Sequence, residues 1–355
     1  MNRLWIISAI ILSNTAFASS TRNVALQIQK INEADSVGNQ LLKEFDLLTA
    51  TAKNPAELYT SEVYSKLMAL RPIQESHSDA LEAAYSALWQ EGSLTETEEL
   101  APNFPGTNVS VADEISLLAP KYRTQLQAEF TATPGEDAQP KIYPDPGTAG
   151  NIFGTEFPTG VWALTFDDGP STVYSPTVIA NLKAHGLRAT FFELMGMIKQ
   201  SPATSLMIQG AGMEVEDHSY THPQLTKMDA KTQDYEIRQS AEDEAAVWGY
   251  RPKFFRCPYG DGLHDPLIRK QIADQGMIHV YWTVDTLDWQ DHNPDSIFQR
   301  ALSQMTQFKR GIILFHDIHP QSVAGSKLVM DYLVAQKLRV VTIPDIVDEI
   351  NQAQN

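Results

Sequence analysis

From Val161 to the C-terminus, apolar residues fall in short runs separated by polar stretches and helical patterns. The runs predict strands at Val161–Phe166, Arg188–Phe192, Met213–Glu216, Lys253–Arg256, Ile278–Val284, Gly311–Phe315 and Arg339–Thr342. Each is followed by a segment with helical spacing or by a loop leading into one. Short strands alternating with helices predict a parallel sheet with crossover helices, so the fold class is α/β. Seven such units predict closure into a barrel, with an open doubly wound sheet as the alternative. No G-x-G-x-x-G follows the first strand, which argues against a dinucleotide-binding version.

The N-terminal third is patterned differently. Val24, Leu26, Ile28, Ile31, Leu41, Leu42, Phe45, Leu47 and Leu48 recur near a helical period, and glycine appears only at positions 38, 92 and 106 between residues 22 and 130. The pattern continues through Ala56–Leu70, Ser78–Trp89 and Leu117–Phe130, with Asn54-Pro55 and Arg71-Pro72 as expected breaks. No metal-ligand spacing or nucleophile arrangement occurs here, so the region reads as a helical bundle or cap without chemistry of its own. Between 131 and 160 the chain turns to Pro, Gly, Thr and Asn, the composition of a linker or ordered strap. The expected organisation is therefore 1–18, 19–130, 131–160 and 161–355.

The first of those segments is read as an export signal. Arg3 precedes an apolar run, Leu4–Leu12, that is too short to span a bilayer, and Ala16-Phe17-Ala18 has the small-x-small form of a signal-peptidase site. Cleavage after Ala18 is expected, with no transmembrane anchor afterwards and a periplasmic or extracellular destination. Charge adds one exclusion. The net charge of −17, without a Lys/Arg cluster, argues against a nucleic-acid partner. The single cysteine, Cys257, allows no intrachain disulfide, and it reads as a small buried apolar residue.

The candidate chemistry lies just past the predicted strand ends. Thr165-Phe166-Asp167-Asp168-Gly169-Pro170 follows the first strand, Asp217-His218-Ser219-Tyr220-Thr221-His222 the third and Arg256-Cys257-Pro258-Tyr259-Gly260 the fourth. Asp285-Thr286-Leu287-Asp288-Trp289 follows the fifth and His316-Asp317 the sixth. In a barrel these ends converge on one face, where active sites are built. Adjacent acids such as Asp167 and Asp168 repel, and a metal ion on one with an Arg beside the other would satisfy both. The alternative for the pair alone is a turn carrying two solvated acids. His218 and His222, four apart, can reach one metal, and with Asp168 they form an open two-His, one-carboxylate set. That donor set suits Zn²⁺, and Co²⁺, Ni²⁺, Mn²⁺ or Fe²⁺ also fit it. His264, His279, His292 and His319 read as surface or packing residues, as do His77 and His185. Tyr281 and Trp282 read as core.

The motifs TFDDGP, HSYTHP, RCPYG, DTLDW and LFH, in this order across about Val161 to Ile343, closely resemble those of the NodB-type polysaccharide deacetylases, carbohydrate esterase family 4. The resemblance does not reach residues 19 to about 150. It implies a distorted (β/α)7 barrel with Asp168, His218 and His222 as metal ligands. It further implies Asp167 as general base toward the attacking water, Arg256 as the partner that holds Asp167 ionised, and the Tyr259 backbone N–H as an oxyanion donor. His316 would be the general acid, tuned by Asp288, and Trp289 and Leu314 would wall the acetyl pocket. The implied activity is metal-dependent N-deacetylation of N-acetylglucosamine residues in an extracytoplasmic glycan: peptidoglycan, chitin oligomers or poly-N-acetylglucosamine. The alternatives are O-deacetylation of an acetylated xylan, a glycan-binding pseudoenzyme, and a chain whose main function lies in its helical part.

Overall fold

The computed structural model describes residues 17–75 and 150–353. The expected helices at Ser78–Trp89 and Leu117–Phe130, the apolar run Leu4–Leu12 and most of the 131–160 segment lie outside these residues. No described helix is long and apolar enough to cross a membrane.

All seven expected strands form, within a few residues of the expected bounds. They are β2 (Val161–Asp167), β3 (Thr190–Glu193), β4 (Glu214–Asp217), β5 (Phe254–Phe255), the pair β6 (Ile278–Val280) and β7 (Val284–Asp285), β8 (Gly311–His316) and β9 (Arg339–Val341). The remaining strand, β1 (Asn151–Ile152), belongs to the segment expected to be a linker or ordered strap, and it pairs with β6. Its Ile152 and the following Phe153 and Phe157 are buried, which is why this Pro/Gly-rich stretch is fixed against the barrel.

Every pairing is parallel, in the order β1-β6-β5-β4-β3-β2-β8-β7, with β9 also on β2. That path ends in β1 and β7, and β6, next to β1, and β7 are successive pieces of one chain run, so the sheet curls on itself as a distorted barrel. The expected single strand Ile278–Val284 is broken because the run changes neighbours. The Tyr281 N–H bonds to the Ile152 carbonyl at 2.8 Å, whereas the Thr283 N–H bonds to the Ile312 carbonyl at 2.9 Å. Tyr281 and Trp282 stack at 3.9 Å between ring centroids at this crossover and are buried, as expected of core residues.

Side chains along β2 and β8 alternate between two apolar clusters, as a period of two residues requires. Trp162, Leu164, Phe166, Ile313 and Phe315 belong to one cluster, which includes the crossover helices Ser175–Ala184 and Pro320–Ala335. Val161, Ala163, Ile312 and Leu314 belong to the other, which continues without a break into the N-terminal helices. The barrel and the helical region therefore share a core.

Those helices are α1 (Phe17–Thr49), α2 (Pro55–Tyr59) and α3 (62–75). Along α1, Ala34, Gly38, Leu41, Leu42, Phe45 and Thr49 are buried, one stripe at helical spacing, while Leu47 is 73% exposed despite its place in the apolar pattern. Asn54 caps α2 by accepting the Glu57 N–H at 3.0 Å, with Pro55 at the first helical position, so this expected break is real. The break expected at Arg71-Pro72 is absent: both residues lie inside α3. Proline forfeits one rung of the helix ladder, and here burial of Leu67, Met68, Ala69, Leu70 and Ile73 around it holds the helix together. Polar contacts fix the three helices to the barrel. The Tyr64 hydroxyl donates to Asp285 Oδ2 at 2.9 Å, the Tyr59 hydroxyl accepts the Asp285 N–H at 2.9 Å, and Arg300 Nε donates to Asp46 Oδ1 at 2.6 Å.

The outer side of the sheet carries buried acids. Glu193, at the end of β3, is fully buried; Ser205 donates to its Oε2, and its Oε1 has no hydrogen-bond partner. Burial pushes this carboxyl up to about 8, against the opposing Ser205 bond. The folded state then holds a proton that the unfolded chain has released above its ordinary carboxylate range. Stability contributed by that proton is complete at low pH and is lost as pH rises from the carboxylate range through about 8. Glu193→Gln keeps the shape and removes the titration. The fall in melting temperature between pH 5 and pH 8 is expected to be smaller in the variant, and parallel melting profiles would refute the assignment.

Candidate active site

The strand register delivers the expected cluster. Asp167 ends β2 and pairs with His316, the last residue of β8. Asp217, the last residue of β4, pairs with Glu193 on one side and Phe255 on the other, placing His218 and Arg256 at adjacent strand ends. Asp168, His222 and Tyr259 have φ of 73°, 63° and 59°, a left-handed conformation that non-glycine residues adopt at a cost. The strain coincides with three of the candidate site residues.

His218 and His222 do not share a helical turn. They sit on an irregular loop held by two buried carboxylates. Asp217 Oδ1 accepts the Ser219 N–H at 2.7 Å and the Ser240 hydroxyl at 2.9 Å. Glu236 Oε2 accepts the N–H groups of Tyr220 at 3.0 Å and Thr221 at 2.8 Å. These bonds fix the loop so that both imidazoles turn to Asp168.

Asp168 Oδ1 lies 3.3 Å from His218 Nε2 and 3.2 Å from His222 Nε2. His218 Nδ1 is 2.7 Å from the Arg256 carbonyl, which can only accept, so the proton sits on Nδ1 and the Nε2 lone pair faces Asp168. Burial lowers the proton affinity of His218 further, favouring the neutral ring that a metal requires. Asp168 Oδ1 and His222 Nε2 are buried without a hydrogen-bond partner. Three ligand atoms within 4.8 Å of one another, two of them orphaned, fit a divalent cation with positions left open. Burial of Asp168 disfavours its charge, but Arg71, His222, His218 and His316 outweigh that and hold the carboxyl well below its usual range.

Asp167 Oδ1 accepts from Arg256 Nη1 at 2.6 Å. The fully buried Arg256 also donates to Thr165 Oγ1 at 2.9 Å and to the carbonyls of Val280 at 3.3 Å and Tyr281 at 3.1 Å, and it lies 4.1 Å from the centroid of Phe192. Opposite, Asp288 Oδ1 is 2.7 Å from His316 Nδ1, and Asp288 Oδ2 accepts the His316 N–H at 2.8 Å. Burial favours a neutral His316 ring, yet the Asp288 carboxylate overcomes it and raises its proton affinity. Trp289 packs against the inner cluster that contains Leu314 and Tyr259. Every expected site residue thus lies at one end of the barrel.

The other histidines fall elsewhere. His279 is buried, with Nδ1 2.9 Å from Asn151 Oδ1 and Nε2 accepting the Cys257 N–H. His185 caps a helix and meets Asp331, and His77 is outside the described residues. His319 lies 6.4 Å from His316 between ring centroids, and burial lowers its proton affinity to about 4. Cys257 is buried, and burial pushes its thiol up, as a packing residue's would be.

Two residues from the N-terminal region, where no chemistry was expected, reach into the site. Arg71 Nη2 donates to Asp168 Oδ2 at 2.5 Å and Nη1 lies 2.9 Å from His316 Nε2. Glu75 Oε1 accepts from Arg71 Nε at 2.7 Å, and its Oε2 accepts from the Tyr259 hydroxyl. The helical period could not have shown this, because it marks the inward face without marking what that face meets. The one local signal was a lone Arg among the apolar residues 67–73.

The model for the polysaccharide deacetylase family matches residues 154–280. A peptidoglycan-N-acetylglucosamine deacetylase, PgdA, of Listeria monocytogenes is 35% identical over 188 residues, 53% of this chain and 39% of that protein. The chain thus spans well under half the length of that relative. A peptidoglycan-N-acetylglucosamine deacetylase of Bacillus cereus is 34% identical over 188 residues, 52% of this chain and 67% of that protein. The solved structure of the peptidoglycan N-acetylglucosamine deacetylase Bc1960 superposes with a TM-score of 0.51 at 31% identity, covering 56% of this chain and 93% of the other. With its barrel, its motif order and these relatives, the chain belongs to the polysaccharide deacetylase family.

Proposed function

We propose that this protein is a metal-dependent N-deacetylase that hydrolyses the acetamido group of N-acetylglucosamine residues in an extracytoplasmic glycan, with peptidoglycan as the leading polymer. The observation that carries the reading is the pairing of Asp167 with Arg256 and of His316 with Asp288, on either side of the Asp168–His218–His222 group. The names of the Listeria and Bacillus relatives support the substrate class. The proposed export signal supports the compartment.

Asp168, His218 and His222 would hold the metal, Zn²⁺ being the best match to two imidazoles and a carboxylate. When bound, it would polarise the acetamide carbonyl and favour ionisation of water. Asp167, held in place by the Arg256 guanidinium 2.6 Å away, accepts the proton of the attacking water. The Tyr259 backbone N–H is proposed as a donor to the developing oxyanion, where losing one donor typically costs about 10²–10³ in rate. His316 then delivers a proton to the departing nitrogen from Nε2, its Nδ1 being engaged by Asp288 2.7 Å away. An amide needs this proton because an amide anion is a very poor leaving group, and an acetyl ester needs it less. The His316–Asp288 pair therefore favours N- over O-deacetylation. Trp289 and Leu314 would enclose the acetyl methyl.

The test is acetate release from peptidoglycan, chitopentaose and acetylated xylan, using metal-stripped and reconstituted protein. Reconstituted protein is expected to release acetate from an N-acetylated glycan and stripped protein to be inactive. A protein inactive on all three would overturn the reading, and activity on xylan alone would replace it with O-deacetylation.

A further inference from the structure

Arg71 lies among the residues proposed to act on the acetamido group. Only 5% of its surface is exposed. Its guanidinium bonds to Asp168 Oδ2 at 2.5 Å and sits 2.9 Å from His316 Nε2. It lies 5.4 Å from the centroid of the Tyr259 ring and 5.9 Å from that of Trp289. The site's carboxylate, its proposed proton donor and the rings of Tyr259 and Trp289 therefore all meet one side chain of the protein itself. A guanidinium only donates, so His316 Nε2 accepts from it and offers no proton to a leaving group in this arrangement. Glu75 completes the closure: it bonds to Arg71 and to the Tyr259 hydroxyl, and its Oε2 is 3.7 Å from His222 Nδ1.

We infer that the tip of α3, carrying Arg71 and Glu75, is an intramolecular plug that must withdraw before a glycan N-acetyl group can enter. The inference takes its substrate from the deacetylase reading and concerns the regulation of that site. The plug excludes substrate and leaves the cation site available, because Arg71 uses Asp168 Oδ2 while the histidines converge on Oδ1.

The way α3 is attached suits a movable tip. Its first half is held firmly: Tyr64 is fully buried and bonded to Asp285 and to the Trp282 indole N–H, and Leu67 and Leu70 are in the inner cluster. Beyond Leu70 only Ile73 stays in the inner cluster, and the other ties described are polar, to Asp168, His316 and Tyr259 and, through Gln74 Nε2, to Asp35 and Gln290 at 3.0 Å each. Pro72 stands between the two halves and lacks the N–H of a regular helical rung, the usual site of helix bending. Withdrawal of Arg71 would leave the buried Asp168 carboxylate uncompensated, and a cation at the Asp168–His218–His222 group would replace the lost positive charge. A glycan that brings its own hydrogen bonds can then displace the polar ties of the tip.

The experiment compares full-chain, metal-loaded wild type with Arg71→Ala, and with Glu75→Gln as a second variant should the first fold poorly. Metal content, chitopentaose affinity by calorimetry and acetate release are measured, with amide hydrogen exchange of residues 62–75 followed in wild type. A plug reduces apparent affinity by the fraction of molecules that are open, so the variants are expected to keep their metal and bind chitopentaose about tenfold tighter or more. Saturating chitopentaose is expected to remove exchange protection from residues 71–75 of wild type. Unchanged or weaker binding by the variants, or full protection under saturation, would overturn the plug and make Arg71 a fixed part of the site. Tighter binding without acetate release from either protein would support the plug and count against the deacetylase reading.

Discussion

Asp167→Asn is expected to lower kcat for acetate release by about 10³-fold while the protein keeps its metal. The substitution preserves shape but replaces the carboxylate that Arg256 meets at 2.6 Å, and with it the proposed acceptor for the proton of water. The three proposed ligand atoms, on Asp168, His218 and His222, are untouched. Arg256 retains Thr165 and the carbonyls of Val280 and Tyr281, so the strand ends stay in register. His222→Ala is the contrasting case: it deletes one of the three proposed ligands and is expected to lose both metal and turnover. Elemental analysis beside the kinetic assay separates the two. Loss of metal from Asp167→Asn, or turnover within tenfold of wild type, would show the roles to be misassigned.

Replacing His316 by Ala should cost about 10²–10⁴ in kcat on an acetamide and distinctly less on an acetyl ester, because the alkoxide leaves without a proton more readily. Asp288→Asn tests the same proton from behind. Asp288 binds the His316 ring at Nδ1 and raises its proton affinity against the effect of burial. Without the carboxylate, His316 loses its proton at lower pH, so the alkaline limb of the kcat profile is expected to move toward acid. An unmoved limb, or equal losses on amide and ester in His316→Ala, would remove His316 from the role of acid.

Much of this site was legible in the chain. The clusters at 167–168, 218–222, 256–259, 288–289 and 316 each follow an apolar run, and a parallel barrel collects such ends on one face. The helix at 62–75 was less legible. Arg71-Pro72 reads as a terminator because proline removes a backbone donor, yet burial of Leu67, Met68, Leu70 and Ile73 exceeds that local cost. The β1 strand escaped for the same kind of reason: two residues among prolines and glycines carry no periodicity, and their pairing with His279 and Val280 is a long-range event. The divided fifth strand is another case, since residues 278–284 read as one strand-like run and only the change of neighbour breaks it.

The sequence by itself determined a parallel α/β arrangement, the site's residue types and their placement at strand ends, because hydrophobic patterning and strand-end polarity are local properties of the chain. Only the tertiary structure decided the neutral Nε2 of His218, set by the Arg256 carbonyl, and the insertion of Arg71 between Asp168 and His316. Both depend on contacts between residues far apart in the chain, and helical or strand periodicity carries no information about which distant surface an inward face will meet.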